Sequence, residues 1–201
     1  MSWFAPIYDR IMRGTERAGL AVWRSALLEH AEGHVLEIGA GTGANLHAYT
    51  EKVTRLVLCE PDAGMRSQLQ TKLQRPGEVI DAPAEALPFE DGSFDVAVTT
   101  LVLCTVADPV ACVAELHRVL KPGGRLLFLE HVAAESGTSR RVWQHRLEPL
   151  WKRVAGGCCV TRETRSILEA GGFEVTSCTA ESMRNALPIV RPTIRGVAER
   201  A

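Results

Sequence analysis

The chain has 201 residues, enough for one domain with a hydrophobic core of its own. Apolar residues make up 46% of it, charged residues make up 23%, and the net charge is -1. This balance disfavours a nucleic-acid-binding protein and a disordered acidic chain. No apolar run approaches the roughly 20 residues that a membrane-spanning helix requires.

Six cysteines are scattered through the sequence without a C-x-x-C pair or a Cys/His spacing typical of zinc. The expectation is therefore free thiols, no metal site and a reducing cytoplasmic location. At the N-terminus, Trp3, Phe4, Pro6 and Ile7 favour one of two roles. They form either a packed terminus or lid, or a weak peripheral contact with a membrane surface.

The apolar spacing along the chain predicts helices and strands in alternation. Seven strands are expected, at residues 35–38, 53–59, 78–82, 94–101, 125–132, 173–179 and 189–197. Helices are expected at residues 15–31, from about Asn45, at 62–74 with Asp62 as its cap, at 108–120 with Asp108 as its cap, at 139–155, and at 161–170 with Thr161 as its cap. Alternation over residues 35–129 predicts an α/β domain with a parallel sheet covered on both faces. The last two strands are joined only by a loop, which makes them antiparallel.

A glycine turn follows the first strand, at the edge where open α/β sheets bind ligands. Its spacing, Gly39-x-Gly41-x-Gly43, differs from the G-x-G-x-x-G of pyrophosphate sites. Glu37 precedes the turn and would repel a phosphate, whereas Glu60, at the end of the second strand, suits ribose hydroxyls. The pattern indicates a nucleoside that carries an amino acid and no phosphate, a description that S-adenosylmethionine meets. The alternative is a plain tight turn beside a solvated strand end.

Several segments in order resemble the motifs of class I methyltransferases. They are LEIGAGTG at 36–43, EPD at 60–62, AEALPF at 84–89, SFD at 93–95 and RVLKPGG at 118–124. The resemblance implies a Rossmann-like, seven-stranded, mostly parallel sheet with helices on both faces and an antiparallel C-terminal edge strand. It also implies a single domain, 1–201, divided into an N-terminal lid or helix at 1–32, a cofactor core at 33–132, and acceptor-side helices and closing strands at 133–201.

A narrower resemblance covers the rest of the chain. The segments TLVLC at 100–104, FLEHVAA at 128–134, PLW at 149–151, TRET at 161–164 and VRP at 190–192 are similar to the alkyl thiol methyltransferases of animal endoplasmic reticulum and lipid droplets. Those proteins carry a hydrophobic N-terminal anchor that this sequence lacks, so their membrane address does not transfer. Many quinone methyltransferases have an aspartate at the position of Pro83, so adenine would depend here on the Ala84 backbone and Glu85.

The resemblance assigns the cofactor roles. Glu37, Gly39 and Leu101 are expected to hold the methionine part, Glu60 the ribose, and Pro61 and Met65 the adenine, although Met65 also fits an ordinary core position. The expected cofactor set is completed by Ala40, Gly41, Gly43, Asn45, Ala84 and Glu85.

For the acceptor, a thiol needs help to lose its proton. His131 at the end of the fifth strand is the candidate base, or else it only shapes the wall. Candidates for the acceptor pocket are Tyr8, Cys104, Trp143 and Trp151, and the two tryptophans equally fit simple burial of their helix. The predicted function is S-adenosylmethionine-dependent methylation of a small thiol. A quinone C-methyltransferase, a phospholipid or amine N-methyltransferase, and a cofactor-binding protein without turnover are the alternatives.

Overall fold

The computed structural model describes residues 5–201. Its strands are β1 Gly33–Ile38, β2 Val53–Cys59, β3 Glu78–Ile80, β4 Phe94–Thr100, β5 Leu120–His131, β6 Phe173–Ser182 and β7 Pro192–Arg200. Its α-helices are α1 Ala5–Thr15, α2 Ala21–Leu28, α3 Ala63–Lys72, α4 Pro109–Val119, α5 Ser139–Val154 and α6 Thr164–Ala170.

The strands form one sheet in the order β3-β2-β1-β4-β5-β7-β6. Strands β1 to β5 are parallel, and β7 is antiparallel to both β5 and β6. The predicted seven-stranded, mostly parallel sheet with antiparallel C-terminal strands is confirmed. The C-terminal strand β7 itself lies one place in from the edge, because β6 pairs with its outer side.

Alternate residues of the central strands pack on opposite faces of the sheet, because successive side chains point in opposite directions. Leu36 and Ile38 belong to the core cluster that includes residues of α4 and α6. Val35, the residue before Leu36, belongs to the cluster that includes residues of α2 and α3. Helices therefore cover both faces, as the alternation of elements predicts.

Two helix caps are as predicted. The Asp62 side chain accepts hydrogen bonds from the amides of Gly64 and Met65, and Asp108 caps α4 in the same way. Each cap satisfies amides that lack partners inside the helix. The cap of α3 fixes where the chain leaves β2, directly beside the cavity described below.

The N-terminal helical arm differs from the prediction of one helix at 15–31. The structure is helical from Ala5 to Leu28, with a π-helical turn at Glu16–Leu20 between α1 and α2. Gly19 lies at φ 140° inside this turn, a conformation that glycine adopts without a steric penalty. The arm therefore bends, which lets α1 reach the glycine turn. Of the predicted N-terminal contacts, Trp3 and Phe4 lie outside the described residues.

Two other predictions of local structure are wrong. Only a three-residue 3-10 helix, Leu46–Ala48, follows Asn45, whose side chain bonds to Glu37 and does not cap it. Thr161 does not cap α6, because its amide and hydroxyl both donate to Glu148 of α5. In both places a carboxylate from another element takes a side chain that the local pattern assigns to a helix end.

None of the helices within residues 5–201 is long and apolar enough to cross a membrane.

Candidate cofactor and acceptor site

The glycine turn follows β1 and has three residues in the left-handed region, with φ 58° at Gly39 and Gly41 and 87° at Gly43. A Cβ at Gly39 would lie 2.6 Å from Val102 Cγ2, and one at Gly43 would lie 2.7 Å from Leu46 Cδ1. A Cβ at Gly41 would meet nothing closer than 3.9 Å. Two of the glycines therefore permit close packing, whereas Gly41 exposes its backbone to open space.

That open space belongs to a cavity of about 390 Å³ at the carboxyl ends of β1, β2 and β4. Nine predicted site residues line it: Tyr8, Gly39, Gly41, Glu60, Pro61, Met65, Ala84, Glu85 and Leu101. Seven further residues complete the lining: Asp62, Pro83, Val102, Thr105, Val106, Ala155 and Gly156. Its volume is within the roughly 300–1,000 Å³ typical of small-molecule sites.

Glu60 is the most buried acid of this lining, with 7% of its surface exposed. One carboxylate oxygen accepts a hydrogen bond from the amide of Gly41 and the other accepts one from the amide of Asp62, both at 2.8 Å. Burial raises the pKa of Glu60 above its ordinary value, and the two amides oppose that rise. Each oxygen of a carboxylate has a second lone pair, so the fixed group can still accept bonds from a pair of hydroxyls.

Glu37 lies beneath the turn and is not part of the cavity lining within residues 5–201, and the same holds for Ala40, Gly43 and Asn45. Its carboxylate accepts bonds from Tyr49 Oη at 2.6 Å and from Asn45 Nδ2 at 2.8 Å. Burial raises the pKa of Glu37 to about 7, against the lowering effect of these two donors. The structure thus makes Glu37 a buried support of the turn.

A buried arginine, which sequence reasoning missed, joins this support. Arg24 of α2 is 3% exposed. It donates to Thr100 Oγ1 at 2.7 Å, to Asn45 Oδ1 at 3.0 Å and to Glu16 at 3.1 Å. The sequence holds one signal of this burial. Arg24 follows Leu20 by four residues and so lies on the apolar face of the predicted helix, where a cation needs a buried partner.

The segment after β4 forms another wall of the cavity. Leu101 adopts φ 61°, an unfavourable conformation for a branched side chain, and its amide donates to the carbonyl of Leu129 at 2.7 Å. Such strain costs on the order of 1–3 kcal/mol and is concentrated at functional sites. Val102, the next residue, contacts the glycine turn through the close approach at Gly39.

Two charged side chains hold this segment in place. Glu130 of β5 is fully buried and accepts bonds from the amides of Val102 and Cys104, each at 3.1 Å. Arg162 donates to the carbonyls of Leu103 and Val106. The segment is therefore fixed by a buried carboxyl group at its amides and a guanidinium group at its carbonyls.

The helix α1 crosses the glycine turn. Tyr8 lines the cavity, and Asp9 accepts bonds from Thr42 Oγ1 and Lys72 Nζ, both at 2.5 Å. Burial tends to raise the pKa of Asp9, but the bonds from Lys72 and Thr42 outweigh it and lower the pKa. The arm is thus attached to both the turn and α3.

The remaining acceptor candidates do not line this cavity. Trp143 is 53% exposed on the outer side of α5, which corrects the prediction that it faces the acceptor. Cys104 is buried in a cluster with Cys158, against which Trp151 packs. The hydrogen bond with Cys158, together with burial, holds the pKa of Cys104 well above its usual range, so this thiol is unreactive.

His131 is 9% exposed, and its Nδ1 lies 3.5 Å from Thr193 Oγ1. Burial lowers its pKa to about 4. The residue is outside the cavity lining within the described part of the chain, so its role as a base stays a prediction that this geometry does not favour.

A parallel sheet, a glycine turn with open space above it, and an acid after β2 define a nucleoside-cofactor site of the Rossmann-like type. Comparison with known proteins narrows this class. The model of a methyltransferase domain matches residues 36–128. A solved structure from Thermotoga maritima, a SAM-dependent methyltransferase and possible histamine N-methyltransferase, has a TM-score of 0.75 at 21% identity over 100% of this chain and 98% of its own.

Two curated human relatives are more similar in sequence. Thiol S-methyltransferase TMT1B is 40% identical over 145 residues, which are 69% of this chain and 59% of the relative. Thiol S-methyltransferase TMT1A is 33% identical over 201 residues, which are 97% of this chain and 82% of the relative. The chain belongs to the class I S-adenosylmethionine-dependent methyltransferases, in the family of these two relatives.

The residues present fit the cofactor of that family, S-adenosylmethionine. The open space at Gly41 admits a ligand against bare backbone, which a Cβ would obstruct. Glu60 offers acceptors for ribose hydroxyls, and Pro61 and Met65 supply apolar surface for an adenine ring. Among residues 5–201, the lining includes no basic side chain, as suits a cofactor without phosphate.

Proposed function

We propose that this protein is a thiol S-methyltransferase that acts on small apolar thiols. The observation that carries the proposal is the match to TMT1A over 97% of the chain, because it extends through the C-terminal third that completes the cavity. Leu101, Val102, Val106 and Ala155 give that cavity an apolar wall. Such a wall favours an acceptor with little charge.

When bound, the cofactor supplies a methyl group on a positively charged sulfur. In our proposal, Glu60 holds the ribose hydroxyls and the backbone at Gly41 supports the amino-acid part. The segment 101–106, fixed by Glu130 and Arg162, forms the wall against which the acceptor lies. Holding two reactants in line lowers the barrier by about 7–11 kcal/mol. Positioning is therefore the main contribution of the protein.

The acceptor must lose its thiol proton, since the thiolate is the nucleophile and a thiol has a pKa of about 8.5. His131, with a pKa of about 4, is too weak a base to take that proton efficiently. Burial also raises the pKa of Tyr8, which keeps its phenol neutral at pH 7. We therefore infer that the thiolate forms in solution and that the proton leaves to water.

Transfer of a labelled methyl group from the cofactor to a panel of acceptors tests the proposal. The panel contains an alkyl thiol, an aryl thiol, a primary amine, a phosphatidylethanolamine and a quinol. We expect label on the two thiols only. Label on the quinol, with the thiols unlabelled, supports the quinone C-methyltransferase alternative. Label on either amine supports the N-methyltransferase alternative.

A cytoplasmic location is part of the proposal. Five of the six cysteines are buried as free thiols: Cys59, Cys104, Cys112, Cys158 and Cys159. Such thiols are typical of a reducing compartment. The measurement is fractionation of cells that express the full chain, with the protein followed by antibody; recovery from an oxidising compartment contradicts the proposal.

A further inference from the structure

Helix α5 presents an apolar stripe to the outside of the molecule. Trp143, Leu147, Leu150 and Val154 follow each other at intervals of four, three and four residues, which places them on one side of a helix. Their exposed fractions are 53%, 37%, 62% and 57%. We refer to these four residues as the apolar stripe. Exposure of so many large apolar side chains in one row marks an interaction surface.

The side of α5 that packs on the protein is fixed by hydrogen bonds. Gln144 is fully buried, accepts from the amide of Ala134 at 2.7 Å and donates to the carbonyl of Ile189 at 2.9 Å. Glu148 accepts from the amide of Thr161 at 2.8 Å and from its hydroxyl at 2.6 Å. These bonds set the rotation of the helix about its axis, and this rotation places the apolar stripe on the outside of the molecule.

The exposed charges on α5 are mostly positive. Arg140, Arg146 and Arg153 are exposed, and exposed Lys152 lies 3.6 Å from Glu148, the only acid of this helix, which also accepts from Thr161. Arg146 also lies over the Trp143 ring at 5.6 Å. Because the whole chain has a net charge of -1, this density of cations is local. An apolar face with a basic border fits the headgroup region of an anionic bilayer.

Helix α1 carries a second surface of the same type. Ile7 and Ile11, one helical turn apart, are 40% and 57% exposed. Arg10, Arg13 and Arg17 are exposed on the same arm. The cavity joins the two helices, because Tyr8 of α1 and Ala155 and Gly156, which directly follow α5, all line it. The basic, apolar surfaces therefore border the cofactor and acceptor cavity.

We propose that α5, assisted by α1, lies in the interface of an anionic membrane, with the apolar stripe at the boundary between headgroups and acyl chains. An apolar acceptor dissolved in the bilayer then reaches the cavity beside Ala155 without crossing water. A lipid surface fits better than a second copy of the chain, because two facing stripes would bring Arg146 and Arg153 against like charges. The membrane contact does not depend on the proposed thiol methylation, whereas the delivery of an apolar acceptor from the bilayer rests on that proposed function.

The test is sedimentation of the full chain with vesicles, without cofactor or acceptor. We expect binding to vesicles of equal parts phosphatidylcholine and phosphatidylserine, and little binding to phosphatidylcholine alone. Leu150→Glu should abolish binding, and Arg146→Gln should weaken it about fivefold, the contribution of one cation near an anionic surface. Val110→Glu, at an exposed apolar position of α4, is the matched control and should bind as the unchanged protein does.

Equal binding of the Leu150→Glu and Val110→Glu variants overturns the proposal, as does equal binding to neutral and anionic vesicles. Analytical ultracentrifugation distinguishes the other occupant. If the protein does not bind vesicles but forms a dimer that Leu150→Glu dissociates, the apolar stripe is a contact between two copies of the chain. Methyl transfer to a water-soluble thiol by each variant is measured separately, so a failure of the proposed function does not affect this result.

Discussion

Replacement of Gly41 by alanine tests whether the cofactor lies against bare backbone. The substitution adds one methyl group to the floor of the cavity, where the nearest protein atom is 3.9 Å away. It therefore causes no clash within the protein, but it occupies space that we assign to the ligand. Alanine at φ 58° also carries a left-handed strain of roughly 1–2 kcal/mol.

Gly123→Ala is the matched control for that strain. Gly123 has φ 74°, its added Cβ meets nothing within 4 Å, and it is not part of the cavity lining within residues 5–201. Both variants should lose roughly 1–2 kcal/mol of unfolding free energy, which corresponds to a fall in Tm of about 2–8 °C at this chain length. Only Gly41→Ala should lose cofactor affinity, because only its methyl group meets the ligand.

Overpacking by one methyl group costs about 1–3 kcal/mol, so we expect the Kd of the demethylated cofactor to rise about 5- to 150-fold in Gly41→Ala. Isothermal titration calorimetry measures the Kd, and thermal unfolding measures the stability of the same samples. Equal affinities for the two variants would refute the placement of the ligand at Gly41. A larger loss of stability in Gly41→Ala than in Gly123→Ala would refute the claim that the space is empty of protein.

Four more predictions concern the surroundings of the site. The pKa of about 7 for buried Glu37 lies above the ordinary 4.5, so the stability that its protonated form contributes is complete below pH 4.5 and is lost as pH rises through 7. The unfolding free energy of the unchanged protein should therefore fall by on the order of 3 kcal/mol between pH 4.5 and 8. In Glu37→Gln this pH-dependent fall should be absent. Glu130→Gln should cost about 1–3 kcal/mol and raise the cofactor KM more than it lowers kcat, since it loosens a cavity wall; unfolding and initial rates measure this. Asp9→Ala should raise the rate of amide hydrogen exchange in α1 by at most about fivefold, because an exposed ion pair such as Asp9–Lys72 stabilises by no more than about 1 kcal/mol. His131→Asn should leave the slope of log kcat/KM against pH unchanged below the pKa of the acceptor thiol, because the thiolate forms in solution.

Each of these predictions has an outcome that contradicts it. An unchanged pH dependence in Glu37→Gln would show that Glu37 is ionised at neutral pH in the folded state. Equal changes of stability and KM in an apolar core variant such as Leu116→Ala would reduce Glu130 to a packing residue. Faster exchange throughout the chain in the Asp9 variant would mean global destabilisation. Loss of the pH slope in the His131 variant would restore that residue as the base.

The sheet and the position of the site could be predicted because their signals are local. Strands such as Val53–Cys59 show a dense β-branched pattern, and Asp62 caps the next helix through its own neighbours. Gly39, Gly41 and Glu60 occupy fixed places relative to β1 and β2, so the sheet brings them together. The position of these residues could be predicted because the glycine turn and Glu60 each directly follow a strand of the parallel sheet.

Residues whose roles depend on distant partners could not be predicted. Thr161 has the character of a helix cap, but Glu148 approaches it from another helix. The helix that contains Arg24 could be predicted, but its partner Thr100 could not, because the two residues are 76 positions apart in sequence. Trp143 is an aromatic residue of the kind that lines pockets, but the buried bonds of Gln144 set the rotation of α5 so that the Trp143 ring faces outward. In each case a hydrogen bond between residues far apart in sequence overrides the local pattern.

The central claim, that this cavity transfers a methyl group to a thiol sulfur, is tested most directly with a cofactor whose methyl group carries deuterium. The reaction with an alkyl thiol is analysed by mass spectrometry, with the demethylated cofactor quantified in the same sample. The account predicts one deuterated methyl group on sulfur for each demethylated cofactor formed, and a loss of both products together in Gly41→Ala. Demethylated cofactor formed at the same rate without thiol, or a thiol left unlabelled, would contradict it.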